Sequence, residues 1–312
     1  MLSRRLLRVK VIKALYAHVQ SQSDNLHTAK QNLALAADKT YELFFLMSAL
    51  VVEVARYAEE RQEIARNKKL PTYEDLNPNR KFVENEVVRR LAEDEELNEY
   101  ISKHSLSWSA YPELIKKLYT RLAESEYYKV YMENPERSFR EDLEIVTDFY
   151  TYELEDDEAL EQVLEEQSIY WADDLGFALI MVVKMLSTMR EGRSRIKIPR
   201  QYKSEEDAEF ARQLFEKSVM QFERNREIID RLSGNWDVER IAFMDIIIMA
   251  VALTELKEFP SIPVKVTLDE YIEISKYYST PNSSIFINGI LDKSVEMLTE
   301  AGEINKSGRG LI

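Results

Sequence analysis

The sequence contains no cysteine, which excludes disulfides, zinc–thiolate sites and thiol nucleophiles. Glycine and proline are also scarce, with 7 and 8 residues among 312. Such low usage argues against a turn-rich β-sandwich or barrel, and it leaves few residues for glycine-rich nucleotide-binding loops. Only three histidines are present, and no two of them have the spacing of a helical metal-ligand pair. These absences favour a helical protein without a metal or cofactor, and they do not point to an enzyme.

Positive charge is in deficit: 42 lysines and arginines stand against 56 acids, for a net charge of −14. This balance argues against a general nucleic-acid coat protein but leaves room for a local basic site. Long apolar runs are missing as well. The most apolar stretch, residues 241–253, contains Asp245 and is too short to span a bilayer. Arg8, Lys10 and Lys13 interrupt any signal-peptide run at the start, so we expect a cytoplasmic protein.

What the chain does have is apolar residues at helical spacing along most of its length. The pattern predicts an all-α fold. Helices are predicted at 3–22 with Ser3 as the N-cap, 24–66 with Asp24 as a candidate cap, several between 81 and 190, and then 204–232, 237–258, 266–278 and 281–300. Gly302 is predicted to end the last helix, and the tail Asn305–Ile312 is predicted to fray.

Asn288–Gly289 offers a local alternative, because this dipeptide suits the two-residue turn of a β-hairpin. The surrounding residues Phe286, Ile290 and Leu298 instead have helical spacing. From the residues alone the helix is favoured, and the hairpin stays open.

Charge is unevenly distributed in the middle of the chain. Residues 133–174 contain sixteen acids and only two bases, which predicts a solvated acidic helix face. Residues 190–203 contain six bases and one acid, and Gly192 and Pro199 make this segment a loop. The basic loop could extend a nucleic-acid track or pair with the acidic stretch, and the sequence leaves both alternatives open.

The first helix has five bases before residue 24 and no acid. At 100° per residue, Arg4, Arg5 and Arg8 fall in the sector that Ile12 to Val19 occupy as the core stripe. Three unpaired guanidinium groups cannot be buried there. We therefore predict that this end of the helix overhangs the core or meets an anionic partner, and the planar fork of arginine suits phosphate. The alternative is a solvated helix start, which the helix dipole disfavours.

Three strings in the last quarter resemble signatures of the NusB family of transcription antitermination factors: Trp236–Leu256, Ile262–Lys276 and Asn282–Lys293. The segment from Arg4 to Tyr16 is similar to the opening helix of the family. The resemblance implies a compact, non-enzymatic pair of small helical bundles. It also implies binding to boxA-type RNA together with the ribosomal protein NusE, within RNA polymerase complexes that resist termination, chiefly on ribosomal RNA operons.

The resemblance assigns two sets of residues. The RNA-binding set consists of Arg4, Arg5, Arg8, Asn282, Ser283 and Phe286. The set facing the ribosomal protein consists of Tyr16 and Glu255. Phe286 would either stack on a base or be an ordinary core residue. The resemblance also makes Asn288–Gly289 helical.

Three positions depart from the family pattern. Leu6 stands where some relatives have another arginine, so we expect weaker RNA affinity. Thr254 replaces a usual tyrosine and Ile246 a usual arginine, so we expect an altered partner contact.

Length is the main departure, because family members are usually about half as long. We predict a family-like core formed by residues 1–66 and 204–312, with residues 67–203 as an inserted helical module. The alternative function is a protein-interaction scaffold or ribosome-assembly factor with weak or lost RNA binding, which the net charge of −14 favours.

Overall fold

A computed structural model describes residues 1–22, 25–154, 156–193, 195–234 and 241–311. These residues form α-helices and no β-strand. The helices are α1 (Arg4–Gln20), α2 (Leu26–Arg66), α3 (Tyr73–Leu76), α4 (Glu86–Glu93), α5 (Glu95–Lys103), α6 (Pro112–Glu124), α7 (Glu126–Glu133), α8 (Phe139–Tyr152), α9 (Glu158–Gln167), α10 (Leu175–Leu186), α11 (Glu205–Leu232), α12 (Phe243–Glu258), α13 (Val264–Tyr278) and α14 (Ser283–Glu300). The predicted all-α fold is confirmed, and the segment 67–203 is helical as predicted.

Local signals explain where several helices begin and end. Ser3 caps α1, since its hydroxyl accepts a hydrogen bond from the Leu6 N–H at 3.2 Å. Gly302 has a φ of +69°, the left-handed conformation that commonly ends a helix, and it follows α14 as predicted. Asp24 and residues 235–240, which include the start of the first family-like string, lie outside the described residues.

Asn288 and Gly289 lie inside α14, so the hairpin alternative is wrong. The apolar residues around them are buried at helical spacing, at positions 287, 290, 291 and 298. In a helix these four apolar residues share one buried face. In a hairpin, successive residues of a strand point to opposite faces, so some of the four would be exposed. Burial of the apolar face therefore outweighs the turn preference of Asn288–Gly289.

The chain divides into two compact units. Unit 1 comprises Met1 and Asp38–Gln201, and unit 2 comprises Leu2–Ala37 and Tyr202–Ile312. The first division falls inside the continuous helix α2, whereas the predicted boundary was at 66/67. Residues 38–66 belong to unit 1 because their apolar side chains are part of its core.

Unit 1 is organised around the second part of α2. Residues 43–47, 50–52 and 54 are all buried there. Three buried aromatic side chains donate hydrogen bonds to main-chain carbonyls of this helix: Trp108 Nε1 to Leu46 O at 2.9 Å, Tyr150 Oη to Met47 O at 2.7 Å and Trp171 Nε1 to Lys39 O at 2.7 Å. These bonds satisfy the polar ends of large buried rings and fix the later helices against α2.

Unit 2 is organised around α12. Every residue from Asp245 to Leu256 is buried, which is typical of a helix surrounded by protein on all sides. Helices α1, α11, α13 and α14 pack against it. Within the described residues no helix has the length and apolarity needed to cross a membrane.

The C-terminal tail is packed rather than frayed. Gly310 is buried, and a Cβ at this position would lie 1.9 Å from the Pro260 carbonyl oxygen. The Ser307 N–H donates to the same oxygen at 3.0 Å, and Lys306 Nζ donates to Phe259 O at 3.1 Å. The prediction of a frayed tail is therefore wrong for residues 306–311, because the missing side chain of Gly310 lets the backbone approach closely.

Candidate RNA interface

Helices α1 and α13 of unit 2 lie side by side and run in the same direction. Arg5 pairs with Glu270, and Lys13, eight residues further along α1, lies over the ring of Tyr278, eight residues further along α13. The Lys13 Nζ is 5.0 Å from the ring centroid. The line of contact between the two helices, the α1–α13 seam, thus carries basic side chains from Glu270 to Tyr278, which is about 12 Å along α13.

Arg8 and Glu255 form a buried, bidentate ion pair. Arg8 Nε and Nη2 donate to the two Glu255 carboxylate oxygens, each at 2.8 Å. The side chains are only 3% and 0% exposed. The carboxylate also accepts hydrogen bonds from Thr267 Oγ1 and Tyr271 Oη, both at 2.9 Å. Glu255 is therefore fully satisfied inside unit 2, and Arg8 is not on its surface.

Burial and the neighbouring charge of Glu255 shift the pKa values of Arg8 and Tyr271. Burial alone would lower the pKa of Arg8, but the hydrogen bonds and charge of Glu255 outweigh it and raise that pKa. Burial, followed by the charge of Glu255, raises the pKa of Tyr271 well above its ordinary value. Arg8 therefore stays charged and Tyr271 stays a neutral hydrogen-bond donor at physiological pH.

Arg4 and Arg5 lie at the surface, and each has a carboxylate partner. Arg4 Nε donates to Asp207 Oδ1 at 2.9 Å, and Arg5 donates through Nε and Nη2 to both Glu270 oxygens at 2.9 Å. Hydrogen bonding to Arg5 lowers the pKa of Glu270. The expectation that the arginines of α1 are unpaired is therefore wrong, since their partners come from α11, α12 and α13.

A groove of about 690 Å³ lies at the start of this seam. It is lined by Ser3, Arg4, Arg5, Arg8, Ser261, Ile262, Pro263, Val266, Glu270 and Arg309. Arg309 comes from the packed C-terminal tail, which the sequence patterns do not connect with the first helix. The groove therefore combines three separate parts of the chain around four guanidinium groups.

The start of α14 was the second predicted RNA element. Asn282 and Ile285 are exposed, and Phe286 is partly exposed. Ser283 is buried, and its hydroxyl donates to Asp245 Oδ2 at 2.7 Å. Ser283 therefore holds the turn before α14 in place, while Asn282 and Phe286 are accessible. Arg5 contacts Glu270 in the middle of α13, whereas Asn282 and Phe286 follow the C-terminal end of that helix in the chain.

The two residues predicted to face the ribosomal protein have different environments. Tyr16 is partly exposed, and its ring meets Phe243 edge-on with the centroids 5.4 Å apart. Glu255 is buried beside Arg8, as described above. Among the described contacts nothing joins Tyr16 to Glu255.

Sequence reasoning missed Asp207, Glu270 and Arg309. Glu270 lies inside one of the family-like strings, but its partner Arg5 is 265 positions away. The only sequence signal for Arg309 is a basic residue between two glycines, Gly308 and Gly310, in a segment predicted to fray. Its place in the groove follows from the packing of Gly310 against Pro260.

Residues 190–201 of the basic loop belong to unit 1 and are anchored by α4. Arg90 is buried, and its Nη1 donates to the carbonyl oxygens of Arg190 at 2.8 Å and Arg193 at 2.7 Å. Arg195 is exposed and lies 4.0 Å from Glu96. A carboxylate of α5 therefore lies beside this loop, and within the described residues no ion pair joins the loop to the acidic stretch 133–174, which was one of the two alternatives.

Comparison with known proteins gives one family. The NusB family model matches residues 179–296. Over 104 residues the chain is 44% identical to a Salinibacter ruber protein named transcription antitermination protein NusB, covering 33% of this chain and 65% of that one. Proteins of the same name from Chloroherpeton thalassium and Natranaerobius thermophilus are 42% identical over 84 residues and 37% over 75, covering 27% and 24% of this chain.

The alignments cover 65% of the Salinibacter ruber protein, 40% of the Chloroherpeton thalassium protein and 54% of the Natranaerobius thermophilus protein. The chain therefore spans less than two thirds of the length of each of these three relatives. A solved structure of T. maritima NusB aligns with 44% of this chain and 86% of its own length, at 27% identity and a TM-score of 0.28.

Proposed function

We propose that this chain, which carries a NusB family domain, acts in transcription antitermination by binding boxA-type RNA together with the ribosomal protein NusE. In this proposal the complex joins RNA polymerase on ribosomal RNA operons. The observation that carries the proposal is the coincidence of the family match with a basic surface: residues 202–296 of the matched segment lie in unit 2, which also holds the arginine-lined groove.

The proposed RNA path follows the α1–α13 seam. Arg4 and Arg5 contact phosphates at one end, and Asn282 and Phe286 contact RNA at the other, with Phe286 stacking on a base. Arg8 and Ser283 act as positioning residues, because both are buried and bonded to carboxylates. From Glu270, the partner of Arg5, to Tyr278 at the end of α13 is about 12 Å of helix, which is room for a short stretch of single-stranded RNA.

For NusE we propose contact through Tyr16, which is accessible. Glu255 contributes indirectly, since it fixes α1 to α12 and α13 through Arg8, Thr267 and Tyr271. The chain itself catalyses no reaction in this proposal, and RNA and protein binding are its whole activity.

Fluorescence anisotropy with a labelled boxA RNA, with and without NusE, tests the proposal. We expect weak binding alone and tighter binding with NusE, which supplies further basic groups. Arg5→Ala should lower the affinity for all RNAs alike, because phosphate contacts carry little sequence information. Arg212→Ala is the matched control, since Arg212 is an exposed, carboxylate-paired arginine of the same unit.

The second candidate is a protein-interaction scaffold. It is favoured by the carboxylate partners of Arg4, Arg5 and Arg8 and by the net charge of −14. Failure to bind boxA RNA in the presence of NusE, with NusE binding intact, would select the scaffold over the RNA-binding factor.

A further inference from the structure

We propose that the C-terminal segment 306–311 forms one wall of the RNA groove and that the Arg309 guanidinium binds an RNA phosphate there. This inference rests on the proposed function, to which it adds a residue and a segment. Its basis is the packing of the tail, the charge of the groove and the position of the groove at the end of the α1–α13 seam.

The tail has a defined position. Gly310 fits against the Pro260 carbonyl where no side chain has room, and Ser307 and Lys306 each bond to a main-chain oxygen of the 259–260 segment. Burial lowers the pKa of Lys306, which reflects how closely this part of the tail packs. Arg309 lies between these anchors and lines the groove.

Charge distinguishes Arg309 from the other groove arginines. Arg4, Arg5 and Arg8 are each bonded to a carboxylate. Arg309 is exposed, and no ion pair joins it to a carboxylate within the described residues. An anion that enters the groove therefore meets at Arg309 a guanidinium group that it need not compete for, whereas binding to Arg5 competes with Glu270.

Phosphate of single-stranded RNA fits this groove better than an acidic peptide does. The planar fork of an arginine matches two phosphate oxygens. The groove also contains the Arg5–Glu270 pair of the α1–α13 seam, and in the proposed path the RNA continues along this seam, where a polynucleotide supplies both phosphates and bases.

The test compares RNA binding of wild-type protein, Arg309→Ala, Arg309→Lys and the control Arg212→Ala in the presence of NusE, at several salt concentrations. We expect Arg309→Ala to lose affinity about three- to ten-fold at low salt and to flatten the slope of log affinity against log salt by about 0.7, the value for one phosphate contact on a single strand. Arg309→Lys should keep most of the slope, and Arg212→Ala should match the wild type.

A second variant tests the wall rather than the charge. Gly310→Ala keeps Arg309 but places a Cβ against the Pro260 carbonyl, so the tail must leave its position. We expect it to lose RNA affinity as Arg309→Ala does, while the melting temperature shows that unit 2 is still folded. Wild-type affinity for Gly310→Ala beside a weakened Arg309→Ala would overturn the role of the packed tail.

Wild-type affinity and slope for Arg309→Ala, in a protein that binds RNA, would overturn the inference and leave the proposed function standing. If the wild-type protein binds no RNA even with NusE, the proposed function fails and the inference fails with it. These two results are distinguished by the wild-type measurement alone.

Discussion

The three arginines at the start of α1 lie within five residues of one another but have different surroundings. Arg8 is enclosed with Glu255, whereas Arg5 and Glu270 meet at the surface, where the Arg5 side chain is 54% exposed. Removing one partner of a buried ion pair leaves an uncompensated charge in the core, while an exposed pair contributes little. The same residue type therefore supports the fold at one position and is available to a ligand at another.

Arg8→Ala and Glu255→Ala should each lower the free energy of unfolding by about 3–5 kcal/mol, because each removes the bidentate partner of a buried charge, and Arg8 would keep only Glu270 at 3.6 Å. Urea denaturation followed by circular dichroism measures this. Arg212→Ala, the exposed control, should leave it close to the wild-type value, because exposed ion pairs contribute little. In a double-mutant cycle, Arg8→Ala with Glu255→Ala should cost much less than the two single changes added together. Additive losses would contradict a direct coupling between the two groups.

Glu270→Gln should raise RNA affinity about two- to five-fold, because Arg5 is then released from an exposed ion pair and a negative charge leaves the groove. Anisotropy titrations with boxA RNA measure the change. Glu296→Gln on α14 removes the same charge from an exposed position and serves as the control for net charge. An equal effect of both variants would show that only the total charge matters.

At the scale of elements, loops and tails are held by groups far away in the sequence. Arg90 on α4 bonds to two carbonyl oxygens of the basic loop, and Gly310 allows the tail to reach Pro260. Neither segment forms a long helix that would hold it in place by itself. Their positions depend on one or two contacts each, so single substitutions should release them.

Arg90→Ala should release the loop at residues 190–200. Each lost hydrogen bond from a charged donor is worth about 1.5–3 kcal/mol, so local opening becomes at least ten-fold more frequent. Limited trypsin digestion should then cut after Arg193 and Arg195 correspondingly faster, with cleavage sites identified by mass spectrometry. Arg89→Ala changes the neighbouring exposed arginine, which pairs with Glu93, and should leave the rate unchanged. Equal rates in both variants would contradict the anchoring role of Arg90.

At the scale of the whole molecule, a basic groove lies on a chain with a net charge of −14. The long-range field of such a chain repels polyanions, so binding depends on short-range contacts and on a basic partner. The family match covers only 118 of 312 residues, from 179 to 296, and most of unit 1 lies outside it. We therefore expect unit 1 to contribute little to RNA affinity.

The salt dependence of RNA binding should be modest. With about three phosphate contacts, from Arg4, Arg5 and Arg309, the slope of log affinity against log salt should be near −2, at roughly −0.7 per contact. Titrations of the protein alone, from low to physiological salt, measure this slope. A slope steeper than about −4 would indicate a larger basic surface than the α1–α13 seam, with the loop at 190–203 as the first region to test.

Local patterns in the sequence were enough to predict the helices. Apolar spacing predicted α1, α11, α13 and α14 within a few residues, Ser3 and Gly302 marked helix ends, and the family-like strings pointed to the family whose model matches residues 179–296. These features depend on residues close together in the chain, so spacing and residue type carry the information.

Only the tertiary structure decided which charges meet. Asp207, Glu255 and Glu270 are 203, 247 and 265 positions from the arginines they bind, and no periodicity relates residues at such separations. The division of α2 between two units and the packing of the tail could not be predicted from local patterns either, because each depends on surfaces that exist only after the helices have assembled. The sequence by itself determined the helices and the resemblance to the NusB family, while long-range packing determined which carboxylate each arginine meets and how far each arginine is exposed.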